Sequence, residues 1–435
     1  MQMKHLPFLI ALLLAPLAAL HAADAPKAAG IPNIVFILAD DLGYGDVGCY
    51  NPEAKAPTPN LDRLPKEGIL FTDAHSPSTV CTPTRYSILT GRMAFRTGMK
   101  SVFSGVTGPC LIEQGRLTLP GMLRAKGYTT ALFGKWHIGM TFYDKEGNII
   151  RNGGIEGVKR IDYSRAIPDA PIHRGFEQFF GTVCCPNTDF LYAFVEGDRI
   201  PVPPTGMIDK VALGLPTHVY SRDCRAGLIA PDFNMEEIDM IFLDKSERFL
   251  EQQVKERPGK PFFLFHSCQA VHQPSFPSKD FKGKTKAGPH GDFIFEFDAI
   301  VNMRKDYGHD GTRPWRGIKR DNWEGGHRVP LLARWPGRIK PGTRSQQTVC
   351  LTDVMATCAA IVGTPLPCTA AEDSFNLLPV LLGTDEGKPI REFTLHQTIS
   401  LSLAIREGKQ HFFVVFGAPS KLGRTCKLKG VCFMN

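Results

Sequence analysis

Three runs of apolar residues, each followed by polar side chains, constrain the fold of this chain more than any other feature. The runs are Ile34–Ala39, Thr129–Phe133 and Phe262–Phe265. Continuous apolar runs of this length are typical of strands that are buried on both faces of a parallel sheet. Because parallel strands end at one edge of a sheet, the polar residues after them are expected to meet there. The sequence therefore predicts an α/β fold with a site at the carboxyl edge of a mostly parallel sheet.

Helices and a smaller second unit are expected around this sheet. Thr118–Lys126 starts with a residue that can serve as N-cap and precedes a glycine, which predicts a helix. Near the end of the chain, Phe393–Ile405 and His411–Phe416 are predicted as two strands. We expect a large mixed sheet flanked by helices in residues 33–383 and a small, truncated antiparallel C-terminal subdomain in residues 384–435.

Composition excludes several classes of protein. The chain has 435 residues, of which 43% are apolar and 22% are charged. These values exclude a disordered tail, a collagen-like fibre and a protein with many membrane spans. The net charge of +8 is spread along the chain without a run of five Lys or Arg residues. We therefore expect no nucleic-acid partner.

The first residues have the pattern of a secretory signal. A basic residue, Lys4, precedes an uncharged apolar stretch from Leu6 to Leu20, and small residues follow at Ala22 and Ala23. Spanning a bilayer takes about 20 apolar residues, so this stretch is too short for a stable membrane anchor. The sequence predicts a signal peptide over residues 1–22, a linker over residues 23–32, and export to the periplasm or the extracellular space.

The most informative short segment surrounds Cys81. Pro83 suits the first helical position, Gly91 suits the end, and Arg85 is then about one turn inside the helix. Exposed amides at a helix start favour negative charge and lower the pKa of a thiol there. This position therefore favours a site that binds anions and reacts with an electrophile. The alternative at this point is a Cys that forms a disulfide or packs at the helix start.

The other cysteines give less information. The chain has 12 Cys, and in an oxidising compartment some of them are expected to form disulfides. There is no Cys-x-x-Cys pair, so the spacing indicates no structural zinc site.

The segment from Cys81 to Arg85, Cys-x-Pro-x-Arg, resembles the modification signature of the type I, formylglycine-dependent sulfatases. These arylsulfatase-like enzymes belong to the alkaline phosphatase superfamily. Thr84 stands where the family usually has a small residue. Further matches follow in family order, at Ala39–Gly43, Thr90–Arg92, Gly134–Gly139, His272–Pro274 and Glu324–Pro330.

The resemblance implies an alkaline phosphatase-like fold and a role for each matched residue. Cys81 would be oxidised to formylglycine by a formylglycine-generating enzyme, and its hydrated aldehyde would attack the sulfur of a sulfate ester. Asp40, Asp41 and the modified Cys81 would hold Ca²⁺ or Mg²⁺, and carboxylates are suitable ligands for both. Lys135 and Lys319 would bind the sulfate group, and His272 or Lys319 would donate a proton to the leaving group. His137 would act as the base that releases sulfate. Arg85 would stabilise the modified residue.

The chain departs from the family at one inner strand. That strand ends in Asp-Asn-Gly, supplies the other two metal ligands, and precedes the loop that carries Lys319. Here Asp292–Ile300 runs directly into Val301–Tyr307 without such a strand. Asp321-Asn322 is the only Asp-Asn pair, and it follows Lys319, so it is not assigned to the metal. We expect one inner strand to be deleted and metal binding to be weakened.

Three functions are consistent with these features. The leading hypothesis is an exported hydrolase of sulfate esters on a sulfated small molecule or glycan, with carbohydrates as the favoured substrate. The second is a phosphoester or phosphonate hydrolase of the same superfamily, because tetrahedral oxyanions fit similar sites. The third is a non-catalytic relative that only binds sulfated glycans.

Overall fold

A computed structural model describes residues 31–215, 217, 224–297, 314–407 and 410–414, and every helix and strand given below lies within Asn33–Asn435. The helices are α1 Pro59–Glu67, α2 Cys81–Thr90, α3 Leu119–Ala125, α4 Ile155–Lys159, α5 Ile238–Glu256, α6 Gly288–Phe297, α7 Glu324–His327, α8 Val354–Ile361 and α9 Leu378–Leu382. The strands are β1 Ile34–Leu38, β2 Ile69–Phe71, β3 Ala74–His75, β4 Thr129–Lys135, β5 Gln178–Thr182, β6 Leu191–Tyr192, β7 Val195–Glu196, β8 Gly206–Met207, β9 Leu228–Ile229, β10 Phe262–Ser267, β11 Leu331–Ala333, β12 Thr343–Ser345, β13 Val349–Cys350, β14 Phe393–Gln397, β15 Leu403–Glu407 and β16 Gln410–Val414.

The largest sheet has the strand order β1-β10-β4-β5-β7. β1, β10, β4 and β5 pair in parallel, and β7 adds an antiparallel edge. β4 and β10 are buried along their whole length, as their apolar runs predict. The helix α5 packs on both of these strands and buries Phe242 and Phe249. The predicted class, α/β with a mixed and mostly parallel sheet, is confirmed.

The strand β1 differs from its prediction. It is the outer strand of this sheet and pairs only with β10 among the described residues. Its residues alternate in burial, and Val35 and Ile37 are 49% and 56% exposed. The prediction of burial on both faces is therefore wrong for β1, because no described element covers the face that carries these two side chains.

The C-terminal strands form a separate antiparallel sheet with the order β14-β15-β16. The predicted strand Phe393–Ile405 is in fact two strands, because a turn separates Gln397 from Leu403 and Leu401 in this turn has a φ of 63°. Three strands therefore replace the two that the sequence predicted. The helix predicted after Thr118 is confirmed as α3, and the Thr118 hydroxyl accepts a hydrogen bond from the Gly121 amide at 3.1 Å.

Two further expectations concern thiols and membranes. The ten cysteines in the described ranges are all free thiols, so the expected disulfides are not found among them. Cys426 and Cys432 lie outside the described residues. Within the described ranges, no helix combines the length and the apolar character that crossing a bilayer requires.

Candidate active site

The carboxyl ends of four neighbouring strands carry polar side chains at one edge of the sheet. Asp40 follows β1, Lys135 is the last residue of β4, Cys185 follows β5, and His272 lies in the loop after β10. The start of α2 reaches the same edge, where Cys81 Sγ lies 3.5 Å from Asp40 Oδ1. Residues distant in sequence therefore meet where the parallel strands end, as predicted.

Cys81 is the first residue of α2, which thus begins two residues before the start predicted at Pro83. Its buried Sγ lies 3.6 Å from Lys135 Nζ and 3.9 Å from Lys319 Nζ. A hydrogen bond with Cys185 and burial both oppose ionisation, but the two lysines outweigh them and hold the pKa of Cys81 well below its usual value. This direction agrees with the prediction, and Lys135, Lys319 and His137 supply the positive charge that favours the thiolate.

Arg85 and Lys135 hold the carboxylate of Asp40 in a buried network. Arg85 Nη1 donates to the Lys135 carbonyl oxygen at 2.8 Å, and its Nη2 lies 3.4 Å from Asp40 Oδ2. Lys135 Nζ pairs with the same carboxylate oxygen. Burial and the Cys81 thiolate disfavour the ionised Asp40, but Lys135 and Arg85 hold the pKa of this carboxyl below its usual value. Asp40 therefore stays charged although all three side chains are buried.

Asp41 lies beside Lys319 and His272. Lys319 Nζ pairs with Asp41 Oδ2, and His272 Nε2 is 3.7 Å from the same oxygen. Burial and the Lys319 charge oppose protonation of His272, but Cys185 and Asp41 raise the pKa of His272 to about 10. His272 therefore carries a proton on both ring nitrogens at neutral pH and can act as an acid.

His137 enters the pocket from the residues after β4. Its Nε2 donates to the Phe103 carbonyl oxygen at 2.8 Å, since a carbonyl can only accept, and its Nδ1 lies 3.6 Å from Cys185 Sγ. His137 has a φ of 59° and Asp41 a φ of 70°, both in the left-handed region. Such residues cost about 1–3 kcal/mol each and are concentrated at functional sites. The backbone is thus strained on two sides of this pocket.

Three residues of the pocket were missed by the sequence analysis. Cys185 Sγ lies 3.0 Å from Lys135 Nζ, and the Ser267 hydroxyl donates to the Lys135 carbonyl oxygen at 2.7 Å. The carboxylate of Asp239 accepts two backbone amides of the loop after β10, at 2.8 and 2.7 Å. Ser267 ends β10 and Cys185 follows β5, so the rule applied to the other strand ends could have identified both. Asp239 lies on α5 and has no such signal.

Asp40, Asp41 and Cys81 could hold a metal, because their ligand atoms lie within 4.8 Å of one another. The two carboxylates fit a divalent cation, since both Ca²⁺ and Mg²⁺ take oxygen ligands. Ca²⁺ takes about six to eight oxygens, whereas Mg²⁺ is usually held by one or two carboxylates and keeps several waters. The described donors therefore suit a partly hydrated cation better than a complete protein cage.

The missing pair of metal ligands is not replaced by any residue whose position is described. Asp321 Oδ2 accepts the Ile318 amide at 3.0 Å, so this carboxylate is used inside its own loop. The helix α6 is described as far as Phe297, and the interval Val301–Tyr307, where the sequence lacks the inner strand of the family, lies outside the described residues. Asp310, an acid that could replace the lost pair, also lies outside them.

Comparisons with known proteins give one consistent result. The family model described as Sulfatase matches residues 32–292. Arylsulfatase A of Homo sapiens is 31% identical to this chain and aligns with 89% of it and 76% of the relative. N-acetylgalactosamine-6-O-sulfatase of Bacteroides thetaiotaomicron is 29% identical, over 89% of this chain and 83% of the relative.

A solved structure agrees with these relatives. It comes from work on the metabolism of multiple glycosaminoglycans by Bacteroides thetaiotaomicron and superposes with a TM-score of 0.74 at 27% identity. The alignment covers 90% of this chain and 89% of that chain. The region matched by the family model contains every pocket residue described above except Lys319.

Proposed function

Because the chain belongs to the sulfatase family, we propose that it hydrolyses sulfate esters of carbohydrates and that residue 81 supplies the nucleophile. The observation that carries this proposal is the position of Cys81 at the sheet edge. Its Sγ lies within 4 Å of the ammonium groups of Lys135 and Lys319, and a ligand atom of His137 is within 4.8 Å.

The two lysines provide a binding site for a sulfate group. A sulfuryl group at residue 81 lies within reach of both Lys135 Nζ and Lys319 Nζ, which can interact with its oxygens. Positive groups that are fixed before the reaction stabilise the charge that develops in a transition state. Arg85 helps to hold Lys135 in place, because it donates a hydrogen bond to the Lys135 carbonyl oxygen.

We infer that a formylglycine-generating enzyme converts Cys81 to formylglycine, which supplies a hydrated aldehyde as nucleophile. The other residues bind the ester and move protons. His272 would donate its Nε2 proton to the alcohol that leaves, and Lys319 is the alternative donor.

His137 presents Nδ1 to the pocket. Burial opposes its protonation, but Cys185 and Cys184 hold the pKa of His137 well above its usual value. Nδ1 would therefore first give up a proton and then accept the one whose removal releases sulfate.

A divalent cation would be held by Asp40, Asp41 and residue 81, and it would supply positive charge at the sulfuryl oxygens. Both Ca²⁺ and Mg²⁺ bind oxygen donors such as these carboxylates. The small number of described ligands favours a cation that keeps some of its water.

The substrate class and location are also proposals. A relative that covers most of this chain is named N-acetylgalactosamine-6-O-sulfatase, which supports a sulfated glycan as substrate. The pattern of residues 1–22 supports a cleaved signal peptide and export to the periplasm or the extracellular space.

The test is to coexpress the full chain with a formylglycine-generating enzyme. The chemical state of residue 81 and the turnover of substrate are then measured separately. Peptide mass spectrometry is expected to find the aldehyde at residue 81. Sulfated aryl esters and sulfated glycans are expected to be hydrolysed, and Cys81→Ala is expected to lose this activity. Cys358→Ala, which removes a buried thiol on α8, is the matched control.

Other outcomes identify the alternative functions. Faster turnover of phosphate or phosphonate esters than of sulfate esters would favour the phosphoester hydrolase. Binding of a sulfated glycan without turnover, by protein that carries the aldehyde, would favour the non-catalytic relative. A peptide that contains only thiol or disulfide at residue 81 would rule out the proposed nucleophile.

A further inference from the structure

The thiol of Cys185 lies in the middle of the pocket, although the proposed reaction does not use it. Its buried Sγ is 3.6 Å from His137 Nδ1 and 3.8 Å from His272 Nε2. The ligand atoms of Cys81, His137 and Cys185 all lie within 4.8 Å of one another. In a chain that retains Cys81, two thiols and the His137 imidazole therefore surround one small volume, and His272 lies outside this group but beside Cys185.

Two distances from Cys185 match those between ligands of a tetrahedral zinc site. Zn–S bonds of about 2.3 Å and Zn–N bonds of about 2.0–2.1 Å place a sulfur and a nitrogen ligand about 3.6 Å apart at the tetrahedral angle. The distances from Cys185 Sγ to His137 and to His272 are 3.6 and 3.8 Å. Two Cys and two His form a common ligand set of zinc.

Both imidazoles already have the orientation that a zinc ligand needs. His137 Nε2 is hydrogen-bonded to the Phe103 carbonyl oxygen, and His272 Nδ1 is hydrogen-bonded to the Gln273 carbonyl oxygen. Each of these nitrogens must carry a proton, so the opposite nitrogen is the one that can bind a metal towards Cys185 once it has lost its own proton. Backbone carbonyls commonly orient metal-bound histidines in this way.

Lys135 competes with a metal for Cys185, because its Nζ lies 3.0 Å from the Sγ. The same ammonium group also pairs with Asp40. A cation at the two thiols would displace Lys135 from Cys185 and leave this pair in place. The competition lowers the affinity for zinc without removing any of its ligands.

We propose that the chain that retains Cys81 binds one Zn²⁺ through Cys81, Cys185 and His137, and that His272 moves in from beside Cys185 as the fourth ligand. The sulfurs bind as thiolates, and each imidazole gives up its second ring proton to water as its nitrogen binds the metal. Conversion of Cys81 to formylglycine removes one sulfur ligand and adds oxygen at the same place, so it shifts the site from zinc towards metals that prefer oxygen. The inference goes beyond the proposed function and does not depend on turnover.

The experiment uses the full chain expressed without a formylglycine-generating enzyme, reduced and kept free of oxygen. Co²⁺, which replaces Zn²⁺ and is coloured, is titrated in. We expect a thiolate-to-cobalt charge-transfer band and the intense visible bands of tetrahedral cobalt, both saturating at one equivalent. Zn²⁺ added afterwards is expected to remove both sets of bands.

Matched variants assign the ligands. Cys185→Ala is expected to lose most of the charge-transfer intensity and to bind Zn²⁺ about 100-fold more weakly or worse. Mutation of residues that only hydrogen-bond to metal ligands already lowers metal affinity about 10–100-fold, so loss of a ligand should cost at least as much. Cys358→Ala, which removes a buried thiol on α8, is expected to behave like the unchanged chain. If Cys185→Ala does not fold, His272→Gln tests the same site and is expected to weaken the binding.

Three results would overturn the proposal. The first is the absence of a charge-transfer band at one equivalent of Co²⁺ in the unchanged chain, and the second is an unaltered band in Cys185→Ala or His272→Gln. The third is tetrahedral cobalt without thiolate charge transfer, which would place the metal at the buried histidines His75, His327 and His396. Turnover of sulfate esters is measured on the converted chain, so each proposal can fail without the other.

Discussion

At the scale of single residues, the two lysines beside Cys81 differ in environment although both face the same sulfur. Lys135 is fully buried and pairs with the buried Asp40, whereas the side chain of Lys319 is 21% exposed and pairs with Asp41. Breaking a buried ion pair leaves an uncompensated charge, but partly exposed pairs contribute little to stability. The two lysines should therefore respond differently to substitution.

We expect Lys319→Met to reduce kcat/KM by about 10²–10³-fold, because it removes one preorganised positive group. Its free energy of unfolding should change by less than about 1 kcal/mol, because the pair with Asp41 is partly open to water. Steady-state kinetics and urea denaturation of the same protein check both numbers. A loss of several kcal/mol would contradict a mainly electrostatic role for Lys319.

Lys135→Met should cost both activity and stability. Removing Lys135 leaves Asp40 buried with Arg85 as its other cation, which should lower the free energy of unfolding by about 3–5 kcal/mol. Denaturation of this variant beside Lys319→Met is the measurement. Equal stability losses in the two variants would show that Asp40 and Asp41 are equally screened by water.

At the scale of elements, β10 carries a histidine that is kept neutral. His266 is 8% exposed, and its Nδ1 is 2.8 Å from the Ser246 hydroxyl on α5. Burial lowers the pKa of His266 to about 4 from the usual 6.5. Below pH 6.5 the unfolded chain takes up a proton at this position that the folded chain does not bind.

The free energy of unfolding should therefore fall as the pH drops from 6.5 to 4, by on the order of 3 kcal/mol from this histidine. Below pH 4 its contribution should stay constant, because both states are then protonated. Denaturation of the unchanged chain and of His266→Gln at pH 7, 5 and 4 is the check, and the variant should lose less stability. Identical pH dependence in the two proteins would contradict a neutral His266.

The outer position of β1 predicts that substitutions on its exposed face have little effect on stability. Ile37→Thr should change the free energy of unfolding by no more than about 0.5 kcal/mol, because this side chain is exposed. Phe265→Ala, on the neighbouring β10 and 2% exposed, should cost about 3–5 kcal/mol. Chemical denaturation of both variants checks the contrast. A cost for Ile37→Thr near that of Phe265→Ala would mean that this face of β1 is covered in solution.

At the scale of the whole molecule, the C-terminal sheet fixes the segment that leads to Cys81. The Gln397 carbonyl oxygen of β14 accepts hydrogen bonds from the Ser78 hydroxyl at 2.7 Å and from the Thr79 amide at 3.0 Å. His396 Nδ1 lies 3.1 Å from the Ser76 carbonyl oxygen. This C-terminal sheet therefore helps to position residue 81.

Metal binding should stabilise the whole chain only weakly. If two carboxylates and residue 81 hold the cation with a Kd in the millimolar range, a tenfold excess over Kd adds about 1.4 kcal/mol. Thermal unfolding with and without Ca²⁺ or Mg²⁺ should show a Tm increase of a few degrees at most. A large increase at micromolar metal would mean that a further acid, such as Asp310, completes the site.

The sequence by itself determined the sheet, the edge at which the polar residues meet and most of the pocket, because these depend on patterns along the chain. Apolar runs set which segments become strands, and the residues after them necessarily lie at the strand ends. The Cys-x-Pro-x-Arg segment likewise fixes Cys81 and Arg85 on adjacent turns of one helix. These relations are local, so they can be seen without knowing which segments become neighbours.

Only the tertiary structure decided what surrounds each of these residues. The exposure of Val35 and Ile37 depends on β1 being the outer strand, and the pairing of Lys135 with Asp40 depends on β4 and β1 ending at the same edge on either side of β10. The place of Cys185 between His137 and His272 follows from three strands ending side by side. The burial, charge and metal affinity of a side chain depend on its neighbours in space, which the spacing of residues along the chain does not specify.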